Sequence, residues 1–74
     1  MDVGAQMARE GMRKHYRAIV ADPVAHAGEA GSIIGAAQEA DDARLRSAAN
    51  EFDSHLTAAT WNAVYERCRE LGLA

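Results

Sequence analysis

Apolar residues recur along this chain at steps of three and four, the spacing of one face of an α-helix. No stretch alternates apolar with polar for long, and β-branched neighbours are confined to Ile19-Val20 and Ile33-Ile34. The pattern predicts an all-α fold of three to four helices in a small bundle. The first helix is expected over residues 4–21. There Ala5, Ala8, Met12, Tyr16 and Ile19 line one narrow face, Arg9, Arg13 and Arg17 run along its flank, and Lys14 lies further round. Glu10 precedes Arg13 and Lys14 by three and four residues, which supports the helix by roughly 0.2–0.5 kcal/mol per pair. Asp22-Pro23 ends this helix, because proline pushes the residue before it out of the helical region. The same pair can open the next one, with Asp22 as N-cap and Pro23 in the first helical position.

Residues 24–37 carry Gly28, Gly31 and Gly35, each costing about 1 kcal/mol relative to alanine inside a helix. A short helix, a break near Gly31 and a fresh start capped by Ser32 are expected. The alternative is a small-residue surface where another backbone comes close. A long amphipathic helix is then predicted over residues 33–56. Leu45, Ala49, Phe52 and Leu56 share an arc onto which Ile34 also projects, while Arg46, Ser47, Asn50 and Ser54 face away. Asp42 stands four residues before Arg46, the favourable order for an ion pair.

The last helix should begin at Thr57 or Thr60, since either can cap it. The step of five from Leu56 to Trp61 shifts the register and favours a turn near residues 57–60 over a continuous helix. Trp61, Val64, Tyr65, Cys68 and Leu71 form one face, and Asn62, Glu66, Arg69 and Glu70 the other. Gly72 sits where a left-handed stop is wanted, with Leu73 folding back toward Cys68.

Composition changes this picture in one respect. The chain of 74 residues is read as one domain, residues 1–74, and 17 of its 36 hydrophobic residues are alanine. Leu, Ile, Val and Phe together number 12. A domain of this size buries only about 60% of the surface its unfolded chain exposes, so dimerisation is expected to complete the core. Charge is unevenly placed: residues 1–21 are net +2 and residues 22–74 net −5. A basic first helix on an acidic remainder suits a bipolar binding surface more than a general nucleic-acid binder. Abundant alanine and arginine beside a single lysine suggest a GC-rich bacterial or phage genome. One cysteine excludes an internal disulfide, and neither a secretory leader nor a membrane-spanning run is evident, so a cytoplasmic location is expected.

Candidate catalytic chemistry is sparse. His15, His26, His55 and Cys68 match no common zinc spacing, and Glu51/His55 and His26/Glu29 lack the order or spacing of a carboxylate-bridged site. Neither a metal nor another cofactor is expected. Cys68 falls on an apolar helix face, as a structural thiol does. Gly28-Glu29-Ala30-Gly31 outlines a nucleic-acid-clamping GxxG loop, but Glu29 has the wrong charge and the strands of that fold are missing. A chain this short offers little material for a water-excluding pocket, and no enzyme activity is expected.

Binding remains. Arg9, Arg13, Lys14, Tyr16 and Arg17 place four cations and an aromatic on about 12 Å of helix, against the plainer reading of a solvated face. Trp61 and Tyr65 are either core anchors or an aromatic hot spot. A small interaction module is therefore expected: a regulator, inhibitor or accessory subunit masking an acidic protein surface. The alternative is nucleic-acid binding, by the basic helix or by a helix-turn-helix reading through residues 60–71. The near-neutral polar side of those residues equips them poorly for a major groove.

Overall fold

The computed structural model describes residues 3–72 of the chain, with side chains from Glu10 onward. Four helices follow one another: α1 (Val3–Ala21), α2 (Ala27–Gln38), α3 (Ala43–Ser54) and α4 (Ala58–Glu70). No strand forms among the described residues. The helices close a ring, α1 on α2, α2 on α3, α3 on α4 and α4 back on α1. Short connections turn the chain back each time. Contacts confirm the reversals: Tyr16, late in α1, meets Asn62, early in α4, and Arg67, late in α4, meets Asp42 at the start of α3.

Met12, Ile19, Leu45, Phe52, Trp61, Val64 and Cys68 are the largest fully buried side chains. Ala30, Ala36, Ala37, Ala40 and Ala49 fill the space between them. Small residues let the helices approach closely, so a few bulky groups suffice to fill the interior. Gly11 shows how close. A Cβ placed there would run into Cγ1 of Ile33, so α1 seats the Ile33 side chain directly on its backbone. Among the described residues only Val24, Leu56 and Leu71 are large, apolar and exposed.

Three expectations are corrected. First, α2 runs unbroken through Gly31 and Ser32. Its inward face of Ala30, Ile33, Ile34 and Ala37 keeps helical spacing, and burial of both isoleucines outweighs the glycine cost. Asp22 does cap, but it caps a turn: its Oδ1 accepts the Ala25 N–H at 3.1 Å and its carbonyl the His26 N–H at 3.2 Å. The helix proper starts at Ala27, and its N-cap His26 gives no side-chain capping bond, its ring Nδ1 lying 3.0 Å from the Asp22 carbonyl instead.

Second, the long helix over residues 33–56 is two helices. Residues 39–42 leave the helical path, and extended Asp42 restarts it by accepting the Leu45 N–H at 2.8 Å. Arg46 does not pair with Asp42. Its guanidinium donates instead to the Ala40 carbonyl at 2.7 Å, satisfying a group left over at the broken end. Third, α3 stops at Ser54, so Leu56 leaves the apolar arc and stands 37% exposed.

The restart at Thr57 agrees with the expectation. Thr57 and Thr60 form a reciprocal capping box, and the Thr60 hydroxyl also reaches the His55 carbonyl. Gly72 takes φ 74°, the left-handed stop. The contact expected of Leu73 lies outside the described residues.

Candidate interaction groove

The second half of α1 lies against α4, and aromatic groups occupy the seam. The ring centroids of Tyr16 and Tyr65 are 4.2 Å apart, and Tyr16 stands 6.5 Å from Trp61, which meets Phe52 at 5.4 Å. The Tyr16 hydroxyl donates to Asn62 Oδ1 at 2.9 Å, fixing the ring across the seam. Arg69, one turn after Tyr65, holds its guanidinium 5.9 Å from the Tyr65 ring centroid. It also pairs with Glu66 at 3.4 Å.

Beside the tyrosine pair opens a groove of about 280 Å³, lined by Met12, Arg13, Lys14, Tyr16, Arg17 and Tyr65. Arg13, Lys14 and Arg17 are exposed, and none makes an ion pair with another described residue. The fold thus gathers five of the residues singled out from the sequence: Arg13, Lys14, Tyr16, Arg17 and Tyr65. Arg9 has its side chain outside the described residues. Trp61 is corrected as a contact residue. With no exposed surface it cannot touch a partner in this fold, and it backs Tyr16 from within. Its Nε1 has no hydrogen-bond partner among the described residues, a cost of about 1–3 kcal/mol that the aromatic packing must outweigh.

Sequence reasoning missed Asn62 and Arg69 as members of the seam. The Tyr65-to-Arg69 spacing of four residues was the available signal for the second. It also missed a two-bond polar contact between α4 and the start of α3. Arg67 grips Asp42 with two bonds, Nε to Oδ2 at 2.8 Å and Nη2 to Oδ1 at 2.7 Å. Hydrogen bonding to Arg67 holds the Asp42 carboxyl well below the usual carboxylate range, with help from the Leu45 N–H. Such a depressed group stabilises the fold fully above the ordinary carboxylate pKa of about 4, and that contribution fades as pH falls below it.

A second groove, of about 490 Å³, runs between α1 and α2 and is lined by Gly11, His15, Gly28, Glu29, Ser32 and Ile33. No hydrogen bond among the described residues links His15, Glu29 and Ser32. Cys68 is buried, and burial pushes its thiol up to about 11, which suppresses the reactive thiolate at neutral pH. Glu51 and His55 meet at 3.6 Å on an exposed turn. Among the described residues no three His, Cys, Asp or Glu side chains gather to hold a metal ion. No described helix is long and apolar enough to cross a membrane. Comparison with protein-family models, with curated proteins and with solved structures finds no match.

Proposed function

We propose that the protein is a small interaction module that docks an acidic surface of a larger protein through the α1/α4 groove. By covering that surface it acts as a regulator, inhibitor or accessory subunit, in the manner of compact phage- or plasmid-encoded factors. One observation carries this reading: Arg13, Lys14 and Arg17 stand exposed, without an ion pair to any described residue, beside a fixed tyrosine pair. Cations left unpaired on a chain of net charge −3 invite an external anion, and Tyr and Arg are the side chains that dominate protein interfaces. A cytoplasmic setting for this activity rests on the single, buried cysteine.

Nucleic acid is the weaker reading for a stated reason. The arginines of α4 are already engaged, Arg67 by Asp42 and Glu70 and Arg69 by Glu66, which leaves residues 60–71 with little to offer a phosphate backbone. Affinity purification from the source cell or its host tests the proposal, comparing the wild-type chain with an Arg13→Glu, Arg17→Glu variant. A stoichiometric protein partner recovered by the first and lost by the second is the expected result. Identical recoveries from both, or no partner at all, overturn it. Homodimerisation, with Val24, Leu56 and Leu71 as its exposed apolar contacts, is a subsidiary part of the proposal. A light-scattering mass near 7.9 kDa at micromolar concentration overturns that part alone.

A further inference from the structure

We infer that the α1/α4 groove recognises a short acidic segment carrying one bulky apolar side chain, the cations reading its carboxylates and the groove taking its anchor. This rests on the proposed docking role and names what docks.

Size comes first. At about 280 Å³ the groove lies just under the range of about 300–1,000 Å³ that encloses a whole small molecule, and it is open to solvent along α1. It suits part of a ligand, such as one large side chain projecting from a longer chain. Its walls decide what kind of side chain. Tyr16 and Tyr65 present aromatic surface, and Met12, fully buried beneath them, backs that wall with an apolar side chain without facing the ligand itself. The Tyr16 hydroxyl is committed to Asn62, so it is not free to select a polar group.

The rim decides what flanks that anchor. Arg13, Lys14 and Arg17 lie within five consecutive residues of α1, Arg13 and Arg17 being stacked one turn apart. No described acid neutralises any of them, whereas every arginine on α4 already has a carboxylate partner. The charge missing from this rim is negative, and it must arrive with the ligand. Preorganisation favours binding: Tyr16 is tied to α4 through Asn62, and Tyr65 is covered by Arg69, so ordering the aromatic wall costs little on association.

Fluorescence anisotropy with defined probes tests this on the full chain. The probes are a labelled Glu/Asp-rich peptide of ~12 residues with one central Phe, its twin with Ser for Phe, a Lys-rich peptide with the same Phe, and a single-stranded DNA of similar length. The acidic Phe peptide is expected to bind. Removing its Phe should weaken binding by about tenfold or more, as loss of a hot-spot anchor does. Lys14→Glu with Arg17→Glu in the protein should weaken it by at least about tenfold, with the helical circular dichroism unchanged. The Lys-rich peptide and the DNA should bind far more weakly.

Equal binding of the Ser twin would show charge attraction without an anchor and overturn the inference. So would tighter binding of the DNA, equal binding of the Lys-rich peptide, or no binding of the acidic Phe peptide. If the peptide fails while a cellular partner is still lost with Arg13→Glu, Arg17→Glu, the groove remains a protein-docking site that reads a folded surface. If both fail, the docking role falls too.

Discussion

From Asp42 to Gly72 the chain is held by directional bonds: a side-chain cap on α3, a capping box on α4, and a two-bond arginine–carboxylate grip joining them. From Asp22 to Ala40 closeness matters more, with side-chain bonds confined to the two ends of the stretch, Asp22 to the Ala25 N–H, Gln38 to Asn50 and Arg46 to the Ala40 carbonyl. Helix α2 has no side-chain cap, buries alanine and isoleucine only, and lies so near α1 that Gly11 has no room for a methyl group. The first kind of half tolerates small changes of volume at its edges but depends on particular polar atoms. The second depends on the absence of atoms, and its glycines divide sharply. Gly11 is required by its neighbour. Gly28, Gly31 and Gly35 face outward, with nothing within 4 Å of an added Cβ.

The comparison can be broken most forcefully at Trp61, where truncation to alanine opens a cavity among Phe52, Tyr16 and Val64. A loss of about 3–5 kcal/mol is expected, enough to unfold much of a 74-residue chain, with urea denaturation as the measurement. Next comes Gly11→Ala, where overpacking should cost about 1–3 kcal/mol. Adding Ile33→Ala removes the clashing atoms, so the double variant should lose clearly less than the sum of the two single losses, and additive losses would show that the close approach is not what matters. Smaller and opposite in sign are Gly31→Ala and Gly35→Ala, each expected to stabilise by about 1 kcal/mol. Thermal midpoints that fall with these two would mean that the outward face of α2 is covered in solution. Last is Asp42→Asn, which keeps one acceptor oxygen for the Leu45 cap but replaces the other with an amide NH2, so it loses the charge and one of the two Arg67 bonds. Its signature is in acid: wild-type stability declines as pH drops below about 4, whereas the variant's profile in that range should be flatter.

Much of the fold was legible because the bulky residues obey helical spacing. Met12, Tyr16 and Ile19 mark the inward side of α1, and Leu45, Ala49 and Phe52 that of α3, as their positions require. The Thr57 cap and the Gly72 stop were equally plain, since each rests on local chemistry. The errors fell where composition is small. Glycines at 28, 31 and 35 lowered the local preference for helix, yet tertiary burial of Ile33 and Ile34 overrode it. The break before α3 did have a signal, Asp42 three residues ahead of Leu45, but continuous apolar spacing from Ile34 masked it. In the groove, the cations and tyrosines were legible as residue types. Their convergence from helices 46 residues apart was not, because local periodicity says nothing of which helix faces which.

The seam between α1 and α4 also constrains when this protein can come into being. Tyr16 is synthesised 46 residues before its hydrogen-bond partner Asn62, and Trp61 and Tyr65 emerge together with that partner. A nascent chain on the ribosome therefore has its basic first helix but not the wall against which it rests. The ring closes only after α4 has emerged, and a fragment that stops short of α4 cannot assemble the groove.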